Sequence, residues 1–189
     1  TIEKISAHHF KVTPGHAPEH PEWANMVNFT IRQGARGNRL RLEVAFPSGS
    51  SMRFNDYSYS WSYDAENWRP VHWELFERDS AKGDFLLFPV FEHDTVYVGH
   101  QAPMSYEKML DLFDLYARHP DVEVVEIGKS LEGRAILRLI VTDAESKAPL
   151  SERRVHYITN QHPGEHNAQW RMIGMIEWLL AGSDEARAF

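Results

Sequence analysis

The spacing of apolar residues changes at Ala102-Pro103, and no single kind of secondary structure satisfies both sides of that change. From Ile2 to Pro103 the apolar residues come in short runs, many alternating, broken by Gly, Pro, Asn and Asp, which is the texture of β-structure. The runs Ile5–Val12, Val27–Arg32, Leu40–Phe46, Met52–Tyr63, Val71–Phe76, Phe85–Phe91 and Thr95–Gly99 predict strands at the close spacing of an antiparallel β-sandwich. Within the fourth run Tyr57, Tyr59, Trp61 and Tyr63 alternate with Ser58, Ser60 and Ser62. Period two places the rings on one face, expected to fill the interior, and the hydroxyls on the other, expected to meet water. An aromatic surface for a sugar or a peptide is the alternative.

Beyond Pro103 the period becomes 3.6. Tyr106, Met109, Leu110, Phe113, Tyr116 and Ala117 share one helical side behind Ser105, a residue suited to capping, and Pro120 closes the helix because its ring disfavours helical geometry at His119. Strands are expected at Val122–Ile127 and Ala135–Thr142 around the polar turn 128–134, and a third at Val155–Asn160. A helix follows from about Asn167 to Ala181, stopping before Gly182. The fold class expected is α+β in two domains, 1–103 and 104–189, the second α/β in style.

Charge and composition remove several functions. Twenty Lys and Arg against 27 Asp and Glu leave a net charge of −7, which argues against a phosphate-binding surface and so against nucleic acid. No apolar run reaches the ~18–20 residues of a membrane span. Zero cysteines restrict any metal to His, Asp and Glu. Gly128-Lys129-Ser130 lacks the upstream glycine of a phosphate loop, since position 123 is Glu123. His8, His9, His16 and His20 are dense, but Pro14, Gly15, Pro18 and Pro21 prevent a helix that would align them, and a solvated loop is expected.

The sharpest chemical feature is His162-Pro163-Gly164-Glu165, between a predicted strand and a predicted helix. Ligands of α/β sheets gather at that edge, and a Pro-Gly turn lets imidazole and carboxylate converge on one cation. Both donors suit Zn²⁺, whose catalytic sites use three protein ligands and one open position.

The stretch Glu126-Ile127-Gly128-Lys129-Ser130-Leu131-Glu132-Gly133-Arg134, followed by Asn160-Gln161-His162-Pro163-Gly164-Glu165-His166-Asn167-Ala168-Gln169-Trp170, resembles the opening of the catalytic domain of zinc metallocarboxypeptidases. The His-Pro-Gly-Glu form resembles their cytosolic carboxypeptidase branch, in which a β-sandwich domain precedes the catalytic one. The resemblance implies a cytoplasmic zinc hydrolase acting on peptide or protein C-termini, with His162 and Glu165 as two zinc ligands. The family's third ligand, general base and carboxylate-gripping Arg match no residue between Glu165 and Phe189, where the one histidine, His166, adjoins Glu165. No catalytic residue is therefore assigned, and the 189 residues alone are expected to be inactive. The last helix carries Trp170, Met172, Ile173, Met175, Ile176, Trp178, Leu179 and Leu180 around most of its circumference, so further packing or self-association is expected.

Overall fold

A computed structural model describes residues 1–16, 19–20, 27–46, 58–79, 83–143, 145–152 and 165–188. The fold is mixed α+β, and the chain divides into two compact units, Thr1–Pro103 and Met104–Phe189.

The first unit holds β1 (Ile2–Ser6), β2 (His9–Val12), β3 (Asn28–Ile31), β4 (Arg39–Val44), β5 (Tyr59–Ser62), β6 (Arg69–Pro70), β7 (Phe76–Asp79), β8 (Gly83–Val90) and β9 (Val96–His100). They form a five-stranded sheet, β1-β2-β4-β8-β7, and a four-stranded sheet, β3-β9-β5-β6. One buried cluster draws on both: Val12, Leu40, Leu42, Val44, Leu86 and Phe88 from the first, Tyr59, Trp61, Val96 and Val98 from the second. Strand β4 shows how sequence produces this, since Leu40, Leu42 and Val44 point inward while Arg39 and Arg41 remain exposed. Each fully buried aliphatic side chain contributes roughly 1.5–3 kcal/mol, so this cluster dominates the unit's stability.

Four details depart from the expected strands. The run Ile5–Val12 is a hairpin, β1 antiparallel to β2, with Ser6 opposite His9 across Ala7-His8. Strands β2 and β4 pair parallel, so the five-stranded sheet is not purely antiparallel; the chain leaves β2 for β3 in the other sheet and must return in the same direction. Val71–Phe76 is not a strand, because His72 Nδ1 accepts the N–H of Glu74 and starts a 3₁₀ turn at Trp73–Leu75. Ser60 and Ser62 are buried rather than hydrated. Gly99 lies opposite Ser60, and a side chain at Gly99 would meet Gln101 O at 3.0 Å and Pro103 Cδ at 3.1 Å. The outgoing chain therefore covers that face.

The second unit holds α1 (Tyr106–Tyr116), β10 (Val122–Lys129), β11 (Ala135–Val141), α2 (His166–Leu180) and α3 (Asp184–Ala188). Ser105 caps α1 by accepting the N–H of Lys108 at 3.0 Å. Strands β10 and β11 form an antiparallel hairpin with an irregularity between Glu126 and Gly128. Both helices pack on one side of it, where Tyr116, Ile173 and Ile176 are buried against Leu112, Val122, Leu139, Val141 and Leu180. Glycine at 182 adopts φ +66°, the left-handed stop expected after α2. Helix α3 was not foreseen from the sequence. The expected strand Val155–Asn160 lies outside the described residues.

Candidate functional site

Residue Glu165 occupies the N-cap of α2 with φ −84° and ψ 31°, is exposed, and makes no capping hydrogen bond to the helix. Its position follows from helical spacing: Glu165, Gln169, Ile173, Ile176 and Leu180 stand at intervals of four, four, three and four, so they share one stripe. The C-terminal end of that stripe belongs to the packed cluster with Val122, Leu139 and Val141. Toward the start of α2 the stripe turns polar. Gln169 Oε1 is buried and has no hydrogen-bond partner among the described residues. A buried acceptor left unsatisfied costs about 1–3 kcal/mol, so the position is expensive unless something supplies a donor.

The second expected ligand, His162, lies outside the described residues, and among the described residues no three His, Asp or Glu side chains gather. That statement includes His8, His9, His16 and His20. His9 Nε2 instead sits 2.7 Å from Glu43 Oε1 on the neighbouring strand. Of the two expected ligands, Glu165 is described and carries a carboxylate, a donor that zinc accepts. The Glu165 carboxylate stands at the N-cap of α2, one turn from the buried amide oxygen of Gln169. Gln169 was not singled out by the sequence reading. The available signal was a polar residue interrupting the inward apolar stripe four positions after Glu165.

Other polar sites have structural explanations. Tyr59 and Trp61 are buried and Tyr63 packs partly buried against the same cluster, so these three rings line the interior; Tyr57 lies outside the described residues. Arg69 lies 5.0 Å over the Trp61 ring and 5.6 Å over that of Tyr63, closing the edge of the core. Asp84 is 1% exposed and receives the Tyr59 hydroxyl at 2.7 Å and Arg78 Nε at 3.0 Å. Tyr59 belongs to one sheet and Asp84 and Arg78 to the other, so this carboxylate ties the two together. A groove of about 480 Å³ is lined by Tyr116, His119, Glu177 and Leu180. It lies at the far end of α2, roughly 20 Å along the axis from Glu165 at 1.5 Å per residue, and is separate from it.

Comparison with known proteins decides the nature of the second unit. Residues 106–188 match the family model described as zinc carboxypeptidase. These residues carry a zinc carboxypeptidase domain. Cytosolic carboxypeptidase 2 of Danio rerio is 31% identical over 107 residues, covering 53% of this chain and 15% of the relative. An uncharacterized protein of Zymomonas mobilis is 29% identical over 157 residues, 80% of this chain and 37% of that protein. Among solved structures, the metallo-carboxypeptidase of Pseudomonas aeruginosa in complex with (2-guanidinoethylmercapto)succinic acid superposes with TM-score 0.74 at 25% identity, covering 97% of this chain and 46% of that one. The Burkholderia cenocepacia metallo-carboxypeptidase superposes with TM-score 0.71 at 24% identity and the same coverage, a likeness of fold. The chain thus spans less than half the length of the carboxypeptidases it matches.

Proposed function

We propose that the chain supplies a β-sandwich domain, residues 1–103, and the first part of the catalytic domain, residues 104–189, of a cytoplasmic zinc metallocarboxypeptidase of the cytosolic type. The substrate would be the C-terminus of a peptide or protein, and His162 and Glu165 would hold the metal. The observation that carries this reading is the zinc carboxypeptidase match over 106–188, with Glu165 at the N-cap of α2. Bound there, zinc supplies Lewis-acid chemistry that polarises a scissile carbonyl and acidifies a water. Glu165 contributes a fixed negative oxygen; as a ligand it is not available as the general base. The aliphatic stripe behind it fixes the helix from which it projects.

Two measurements test the reading. In the full gene product containing these residues, His162→Ala and Glu165→Ala should each lower zinc content and carboxypeptidase turnover together. Zinc retained at parental stoichiometry in both variants would reject the assignment. The 189-residue chain by itself should release no C-terminal residue from peptides, because the resemblance supplies two ligands and neither base nor carboxylate clamp. Metal-dependent turnover by that chain would reject this expectation.

A further inference from the structure

The segment that carries the chain from β3 into β4 concentrates positive charge. The ten residues from Arg32 to Arg41 hold Arg32, Arg36, Arg39 and Arg41 and no Asp or Glu, in a chain whose net charge is −7. All four arginines are exposed, and none forms an ion pair among the described residues. Glu43, further along β4, is engaged instead by His9 Nε2 at 2.7 Å. The loop is held in one shape from several sides. Ala35 is buried, Gly37 donates its N–H to Phe91 O at 2.8 Å and Arg36 its N–H to Asp94 Oδ1 at 3.2 Å, and the Asn38 side chain donates to Gly34 O and Arg36 O at 3.1 and 3.3 Å. Inward Leu40 and Leu42 send Arg39 and Arg41 to the outer face of β4, about 6.6 Å apart at roughly 3.3 Å per residue. Opposite them on β8 stand Val90, 52% exposed, and half-buried Leu87, while Arg36 pairs with the adjoining Phe91. Permanently charged forks beside an aliphatic strip suit an extended acidic chain, whose alternate carboxylates recur on one face at the same interval. Nucleic acid fits less well. The β8 neighbours of these arginines offer no exposed ring on which a base could stack, and the charge of the rest of the chain repels phosphate. We propose that Arg36, Arg39 and Arg41 form a docking surface for an extended acidic segment of another polypeptide. The surface lies in the first unit and does not depend on the zinc assignment.

Fluorescence anisotropy on the full gene product containing these residues tests the surface. The probe is a fluorescein-labelled decaglutamate peptide, amidated at its C-terminus so that it offers no terminal carboxylate to a peptidase site. The parent should bind it saturably at low ionic strength and lose it as salt is added, since exposed charges are screened. With Arg36→Gln, Arg39→Gln and Arg41→Gln combined, the affinity should fall about tenfold or more, because three charge-assisted contacts are removed together. Arg138→Gln, which deletes an exposed cation of the second unit, should leave the affinity at the parental value. Replacing the same three arginines by Lys should keep part of the binding, as the charge stays and the fork is lost. Should the triple Gln variant not fold, Arg39→Gln and Arg41→Gln are read singly by the same criteria, with a smaller fall in each. No saturable binding by the parent overturns the proposal. So does an unchanged affinity in the Gln variants, or an equal loss in Arg138→Gln, which marks attraction to the chain at large. Tighter binding of a ten-nucleotide oligothymidylate than of the peptide also overturns it and assigns the surface to phosphate.

Discussion

Single residues fix the geometry of the first unit in ways that composition conceals. Gly83 opens β8 with φ +124°, and a Cβ there would stand 2.1 Å from Val44 O. Gly83→Ala must shift backbone in the core, and we expect a loss of roughly 2–6 kcal/mol in a denaturant titration, strain and overpacking together. Asp64 makes a different use of the backbone. Its carboxylate accepts from the Asn67 side chain at 2.7 Å, from the Asn67 and Glu66 N–H groups at 2.7 and 2.8 Å, and from the Ser62 hydroxyl at 2.8 Å. These donors, the Asn67 side chain first, hold its pKa below the ordinary carboxylate value. A depressed folded pKa stabilises above the unfolded pKa and ceases to do so as pH falls toward the folded one. Asp64→Asn should therefore narrow the stability difference between neutral and acidic pH, seen as a smaller fall in Tm on acidification. These hydrogen bonds build the bend that follows β5. The burial of Ser60 and Ser62 was not legible in the sequence, because the alternation of rings and hydroxyls says nothing about what the chain after β9 lays over the second face.

At the scale of elements, the local signals were reliable where a residue acts on its own helix. Ser105 and Gly182 mark the ends of helices as expected, through a side-chain cap and a left-handed stop. They failed where a tertiary partner or a small side-chain bond decided the matter. Nothing at Ala7-His8 resembles a standard turn sequence, yet β1 folds back there on β2, and His72 converts an apolar run into a 3₁₀ turn. Of the polar residues around the start of α2, the sequence pointed to Glu165 through the His-Pro-Gly-Glu motif but passed over Gln169, whose partial burial depends on which side of α2 is packed. The contact between α1 and α2 offers a direct test. Tyr116 is buried and its hydroxyl donates to Glu177 Oε1 at 3.1 Å. Burial first, then the hydrogen bond and charge of Glu177, push its pKa up to about 12. A raised folded pKa stabilises fully below the ordinary value near 10 and is lost as pH climbs through about 12. Tyr116→Phe should thus abolish part of the fall in stability above pH 10, measured by chemical denaturation across the alkaline range. The phenolate absorbance that disappears in the variant should belong to a group that ionises well above pH 10.

For the whole molecule, the amino-acid text supported a division near Pro103 because the period of apolar residues differs between sheets and helices. The order of strands within the first unit lay beyond it, since pairing depends on contacts far apart in the chain. That order has a kinetic consequence. Successive strands change sheets between β2 and β3, β3 and β4, β4 and β5, β6 and β7, and β8 and β9. Neither layer can be finished while the other is absent, and the polypeptide is laced through both. Such lacing raises contact order, so the unit should fold slowly and leave little room for a half-built state. Stopped-flow refolding followed by the fluorescence of Trp61 and by far-ultraviolet circular dichroism should give matching rate constants. A faster dichroism phase would reveal one layer assembling ahead of its mate.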